Sequence, residues 1–594
     1  MSFQPMFGTL VEIYEKSTDQ HPSRPLFGVK RDGRWVWTTY GEFRRTTDAF
    51  RAGLSALGVG RGDVVAIISN NRPEWATAAY ATYGLGASFA PMYEAQHDDE
   101  WEYILKDSGA KVLVVSTQTI ADRVATFRAR LPELRHVIVI EGKADHSFAE
   151  VVELGERSPV AIFHPEPEDL AGFIYTSGTT GNPKGVLLTH KNLASNVSAI
   201  QDLFPIGPEE RSLSFLPWAH SFGQTVELHG LFSMGASMGI AESVDKIIDN
   251  LAEVQPTLLF AVPRIFNRIY RGLHQRMAEE GGIRKLLFDL AIANEQRRRR
   301  LAEKNESSIV VELQHALFDR LVFSQVRARF GGKLKYAFSG GAAISREVAE
   351  FIDDLGIMVY EGYGLTETSP IVTANWPGNR KIGSVGKPIP GVRVEIDRSA
   401  TGDAVDGEII VYGHNVMKGY HGLPDEDAKV FTPDGGLRTG DMGHLDADGF
   451  LYITGRIKEQ YKLENGKYVV PTLLEEEIKL SPYVSNVMVY GDNKPYNVAL
   501  VVPDMENLKK WAQENAPELS DGQLLDDPRV RELILKEIHE RCASFKEYEK
   551  IRKVVLVGED FTQENGLLTP SLKLKRKAVF EKHGNAVLSL YADA

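Results

Sequence analysis

Through the first three quarters of the chain, short apolar runs rich in β-branched residues alternate with stretches of helical spacing. Val64–Ser69 (VVAIIS), Lys111–Ser116 (KVLVVS), His136–Ile140 (HVIVI) and Leu258–Val262 (LLFAV) are almost continuously apolar, as strands covered on both faces are. Pro73–Tyr83 follows the first of them as a helical segment. The alternation predicts an α/β architecture of parallel sheets with helices on both sides. After about Trp376 the texture changes. VRVEID and GEIIVYG, between Gly391 and Tyr420, read as strands, and Leu437–Gly455 reads as a hairpin turning at Asp448-Gly449. Beyond Arg456 the pattern becomes a compact α+β one, with a helix over Thr472–Leu480 and strands over Val484–Tyr490 and Asn497–Pro503. The expected organisation is therefore a large N-terminal domain of stacked α/β sheets over 1–456, its last part (roughly 377–456) a small β unit. A small α+β C-terminal domain over 457–594 follows, with the boundary near Gly455–Lys458.

Composition narrows the class. A chain of 594 residues is too long for one core. With 43% hydrophobic and 25% charged residues, disorder is no candidate for its bulk. The net charge of −13 speaks against nucleic acid as a partner. The basic run Arg297–Arg300 lies in the helix-prone stretch Leu286–Lys304. A solvated helix face is its plain reading, and docking to an anionic membrane surface or to coenzyme A phosphates is the sharper one. The single cysteine, Cys542, rules out an intrachain disulfide. The N-terminus is not a signal peptide, and no stretch reaches the roughly 18 apolar residues of a membrane span. A cytoplasmic protein is expected, with peripheral contact at the inner membrane surface left open and the oligomeric state unread.

The strongest chemical signal is Tyr175–Gly185, YTSGTTGNPKG, directly after the apolar run Ala171–Ile174. Its glycines free backbone amides to face phosphate oxygens, its hydroxyls add donors and Lys184 adds charge. It fails the GxxxxGK[ST] pattern, because Pro183 stands where the second glycine belongs and Gly185 follows Lys184. Thr366 and Glu367, in YGLTET, offer a hydroxyl and a carboxylate beside a strand-like run. Ser339–Ala342 (SGGA) could lie flat against a purine ring, with Tyr363 as a stacking partner. Asp441 is a carboxylate suited to two hydroxyl donors. His220 and Trp218, in LPWAHSFG, read equally as site walls or as packing, and Lys573 and Lys575, in TPSLKLKR, are rival basic groups near the C-terminus.

These stretches together resemble the adenylate-forming superfamily of acyl-CoA synthetases, luciferases and peptide-synthetase adenylation domains. LGVGRGD (57–63), the Gly-rich loop, YGLTET, Gly407–Glu408, TGD (439–441) and GRIKEQYK (455–462) occur in the family's order. Membership implies that ATP is bound by Thr176, Ser177, Gly178, Thr179, Thr180, Lys184, Gly340, Gly341, Ala342, Tyr363, Asp441 and Arg456. It implies Mg²⁺ on Glu367 and Thr176, with Thr366, Glu367, His220 and Lys573 catalytic. Lys458, Lys462 and Gly466 then belong to a C-terminal domain that moves to meet coenzyme A. Lys573 is preferred to Lys575 because Arg576 follows three residues later, although Leu572 stands where most relatives have Gly. VPRIFNRIY (262–270), the helical insert to Phe330 and NGLLTPSLKLKR resemble bacterial long-chain fatty acid–CoA ligases most. No carrier domain follows to Ala594, which lowers the peptide-synthetase reading. A ligase loading a separate carrier protein and an inactive nucleotide-binding scaffold are the alternatives.

Overall fold

A computed structural model of the chain describes residues 3–176, 182–400, 405–569 and 573–592. Two large sheets dominate the N-terminal part. One has eight strands, its centre the parallel set Leu170–Thr176, Ser88–Met92, Val64–Ile68, Val112–Thr117 and His136–Glu141. The other has nine, with Met358–Gly364, Tyr336–Ser339, Leu258–Ala261, Arg211–Ser214, Ser237–Ile240 and Pro25–Arg31 running parallel. Antiparallel strands close the edges, Arg34–Thr39 on one side and Ile371–Ala374 followed by Lys387–Pro388 on the other. The apolar runs recognised in the sequence are these central strands, and every residue of Val64–Ile68 and Leu258–Ala261 is buried.

One core joins the two sheets. Val65 and Phe89 from the first meet Leu258, Phe338 and the ring cluster of Phe27, Trp75 and Trp218. The helix Pro73–Tyr83 is enclosed on nearly all sides, and its Pro73 sits at the start, where a missing N–H costs nothing. The third sheet is antiparallel: Val392–Asp397, Gly407–Gly413, Leu437–Leu445 and Leu451–Arg456. Its final hairpin turns at Asp446–Gly449, with Gly449 at φ 82°, as the Asp-Gly pair predicts.

The C-terminal sheet pairs Val484–Tyr490 with Asn497–Pro503, and Ile551–Leu556 runs parallel to the latter. The helix expected at Thr472–Leu480 runs Pro471–Ile478, one residue early, because Pro471 can open it. The basic tail is not extended throughout: from Arg576 it becomes the helix Arg576–Ser589, which buries Val579 and Val587. Arg576 clamps that helix to Pro471–Ile478 by donating to both oxygens of Glu475, at 2.8 and 2.5 Å. Contacts between the C-terminal part and the rest include Arg541 to Glu347 at 3.2 Å and Arg271 donating to the Val484 carbonyl at 3.2 Å.

Candidate active site

In the nine-stranded sheet four adjacent parallel strands end side by side, and open α/β sheets bind ligands at such carboxyl ends. From Arg211–Ser214 the chain runs to His220, and from Tyr336–Ser339 to Gly340–Ala342. From Met358–Gly364 it runs to Thr366 and Glu367. Thr176 ends a strand of the eight-stranded sheet, paired in register with Lys184. Ser177, Gly178, Thr179 and Thr180 lie outside the described residues.

Asp441 is the best-defined member of the cluster. Its strand register sets it opposite Arg456, whose Nε stands 2.9 Å from one carboxylate oxygen. The other oxygen accepts from the Tyr363 hydroxyl at 2.7 Å. Burial raises the Asp441 pKa above the usual carboxylate value, and Arg456 works against that rise. Two partners leave lone pairs free for further donors. The Tyr363 hydroxyl thus fixes the orientation of the carboxylate.

Thr366 is buried and its hydroxyl lies 3.3 Å from that of Ser221. Glu367 accepts from the Tyr420 hydroxyl at 2.8 Å. Lys184 is ion-paired with Glu426 and its ammonium sits 5.0 Å from the Tyr420 ring. The two lysines Lys184 and Lys429 hold Glu426 at a pKa of about 2. Ser221, Tyr420 and Glu426 were not singled out from sequence. Each is joined to its motif partner across 53 to 242 positions, and no local pattern announces such pairs. Among the described residues no group of three or more His, Cys, Asp or Glu could cage a metal. Mg²⁺ does not need one, because it binds through one or two carboxylates plus substrate phosphates. Glu367, with one oxygen free of hydrogen bonds among the described residues, fits that mode.

Gly340 packs on Phe222: a Cβ there would stand 3.3 Å from the ring. Gly341 has φ 83°, which favours glycine. The Ser339 hydroxyl is buried with no hydrogen-bond partner among the described residues. Both features suit a turn that receives a flat polar group. His220 is only partly exposed; burial, with Lys573 nearby, lowers its pKa to about 4, so it is neutral at pH 7. Its Nδ1 accepts from the Phe222 amide at 3.2 Å. Trp218 is no gate. It is fully buried, packed on Phe27 and Trp75, and donates to the Ser214 hydroxyl at 3.1 Å.

Lys573 completes the cluster from the C-terminal part. Its amide donates to the Thr569 hydroxyl at 3.0 Å and its carbonyl accepts from the Thr569 amide at 2.8 Å. The side chain meets solvent, yet protein crowds it: desolvation, and then Arg456, lower its pKa below the ordinary lysine value. Asp441, Glu459 and Glu367 oppose that shift. Lys575 stands at the N-cap position of the helix Arg576–Ser589 without a side-chain capping bond, and its amide donates to the Leu567 carbonyl at 2.9 Å. Lys458 is exposed, Lys462 lies 5.6 Å from the Tyr468 ring, and Gly466 tops an exposed turn at φ 83°. Among the described residues no hydrogen bond or ion pair joins these three to Asp441 or Glu367.

Residues 14–421 match the family model described as AMP-binding enzyme, and residues 458–594 match AMP-binding enzyme C-terminal domain. The chain is 34% identical over 588 residues to a long-chain-fatty-acid–CoA ligase, FadD15, of Mycobacterium tuberculosis, covering 98% of this chain and 96% of the relative. It is 32% identical to a peroxisomal long chain acyl-CoA synthetase 7 of Arabidopsis thaliana, covering 99% and 87%. The adenylation domain of a carboxylate reductase from Mycobacterium chelonae has the same fold, with a TM-score of 0.81 at 23% identity over 99% of this chain and 92% of that one.

Proposed function

Because the chain belongs to the AMP-binding enzyme family and is an adenylate-forming ligase that uses ATP, we propose that it activates a long-chain fatty acid as acyl-AMP and transfers the acyl group to coenzyme A. The observation that carries this reading is the convergence of Lys573 with Asp441, Arg456, Glu367 and His220. A cation beside those groups suits the problem that adenylation poses, bringing a carboxylate and an α-phosphate together. The relatives' names supply the acid and the thiol.

In the proposed first step the acid's carboxylate attacks the α-phosphorus of ATP and pyrophosphate leaves. Lys573 neutralises the two anions as they approach, and Thr366 donates its hydroxyl to an α-phosphate oxygen. Asp441 accepts from the ribose hydroxyls, with Tyr363 and Arg456 fixing its orientation. Gly340, Gly341 and Ala342 receive the adenine, while Lys184 and Thr176 meet the departing phosphates. Glu367 would hold Mg²⁺, which would offset charge on the phosphate oxygens. His220, neutral, lines the acyl side without adding charge. In the second step the thiol attacks the acyl carbonyl and AMP leaves. We assign the unit 457–594 as mobile about Lys458, bringing Lys462 and Gly466 to the thiol substrate once Lys573 has withdrawn.

Incubation with MgATP, coenzyme A and a panel of acids from acetate to oleate tests the reading by its products. AMP, pyrophosphate and a long-chain acyl-CoA are expected. Acyl-AMP without thioester would reassign the acceptor to a carrier protein, and no acid-dependent AMP from any substrate would overturn the proposal.

A further inference from the structure

The helical insert leaves an apolar surface that the chain itself does not cover. Helix Gly282–Glu303 folds back against Ile309–Phe318 and the π-helical turn Asp319–Phe323. The inner faces bury Phe288, Ala291 and Val311. The outer faces do the reverse. Ile283, Leu286 and Leu290 recur at helical spacing on the first helix, and Ile309, Leu313 and Leu317 on the second; Ile283 is 76% exposed, Ile309 81% and Leu313 68%. Of the sixteen large apolar side chains exposed among the described residues, eight fall within 283–321. Scattered exposed leucines need no explanation, but such a concentration does.

Charge says what covers it. Residues 264–333 hold 15 Arg and Lys against eight Asp and Glu, a net +7 in a chain whose total is −13. Among the acids spent inside the segment are Glu312 on Arg298 at 2.9 Å, Glu295 on His315 at 2.6 Å, Asp289 on Lys285 at 2.5 Å and Asp319 on Arg327 at 2.7 Å. Arg297, Arg300, Arg320 and Arg329 are exposed and form no ion pair among the described residues. Arg297 continues the Ile283–Leu290 stripe at helical spacing, so apolar and cationic groups share one face. A second copy docked symmetrically would set two such cationic segments together. We propose that this hairpin is the docking surface for an anionic lipid bilayer, its aliphatic side chains entering the acyl boundary and its arginines meeting headgroup phosphates. Among the described residues no helix could span that bilayer, so the contact is peripheral and reversible.

Co-sedimentation of the full chain with vesicles of phosphatidylcholine, with or without phosphatidylglycerol, tests this independently of catalysis. Binding is expected only with the anionic lipid and weakens as salt rises. The double substitutions Leu313→Asp/Leu317→Asp and Arg297→Glu/Arg300→Glu should each lower the bound fraction by about tenfold or more. Both pairs are exposed, and an unchanged circular dichroism spectrum confirms that each variant is folded. Equal sedimentation of wild type and both variants would overturn the proposal. So would a wild-type dimer that Leu313→Asp/Leu317→Asp converts to monomer, which would show that a second copy covers the face.

Discussion

Two buried carboxyl groups near the same strand ends are handled in opposite ways. Asp441 is 3% exposed and faces a guanidinium, a phenol and, further off, the Lys573 ammonium. Glu227 is fully buried in the π-helical segment Phe222–His229 and meets only neutral donors, the hydroxyls of Ser212 and Ser214 at 2.9 and 2.8 Å. Desolvation raises both pKa values, and for Glu227, without a cation, it wins by enough to reach about 8. One carboxyl has cations that oppose the effect of burial and lone pairs left for further donors; the other is protonated at neutral pH and part of the packing. Burial alone therefore does not mark a functional acid, whereas burial together with cations of independent origin does.

Removing the most distant of those cations should have the largest effect. Lys573→Ala is expected to slow acyl-AMP formation by about 10²–10³-fold, roughly 3–4 kcal/mol of transition-state stabilisation. Thioester formation from supplied acyl-AMP should change little, and equal losses in both half-reactions would remove Lys573 from the first step. The depressed pKa of Lys573 adds a pH signature. Adenylation needs the charged form, so its rate should fall at a pH below the ordinary lysine value of 10.5. Lys573→Arg should carry that fall to higher pH.

Asp441→Asn comes next. The amide keeps the shape but loses the charge that Arg456 and Lys573 face. A ten- to hundredfold rise in KM for ATP is expected, roughly 1–3 kcal/mol. Arg456 is 44% exposed, so water screens its loss of a partner and stability should change by less than about 1 kcal/mol. An unchanged KM for ATP would place the ribose elsewhere.

The contrast also explains what could be read from sequence. Glu367, Asp441 and Lys573 stand in short polar or Gly-rich motifs between apolar runs, where a charged residue has no packing duty and its chemistry shows. The strand Val392–Asp397 was legible because a half-buried strand writes its burial as alternation, and Gly407–Gly413 because a fully covered strand writes it as a continuous run of β-branched residues. The partners that tune the site were not, because Tyr420, Glu426 and Ser221 reach it through tertiary pairing alone. Nor was the role of Trp218. LPWAHSFG reads as an aromatic loop, and only the fold shows that the ring is packed among Phe27 and Trp75. Glu227 drew no notice either, since its hydroxyl partners lie 13 and 15 positions away on a strand whose serines look like ordinary polar residues.

Glu227→Gln is the subtlest test and the one that separates the two carboxyls cleanly. The amide can accept from one serine and donate to the other, so adenylation and thioester formation should stay within about twofold of wild type. Stability should change with pH instead. The folded chain holds a proton on Glu227 up to about pH 8, whereas an unfolded chain releases it near the ordinary glutamate value of 4.5. The native contribution is thus complete below 4.5 and is lost as pH rises toward 8. Within that window wild-type stability should fall relative to the variant by about 1.4 kcal/mol for each pH unit. Urea melts of both proteins at several pH values measure the divergence directly. Parallel curves would mean that Glu227 is ionised in the folded protein, and the distinction between a poised carboxylate and a protonated packing group would then collapse.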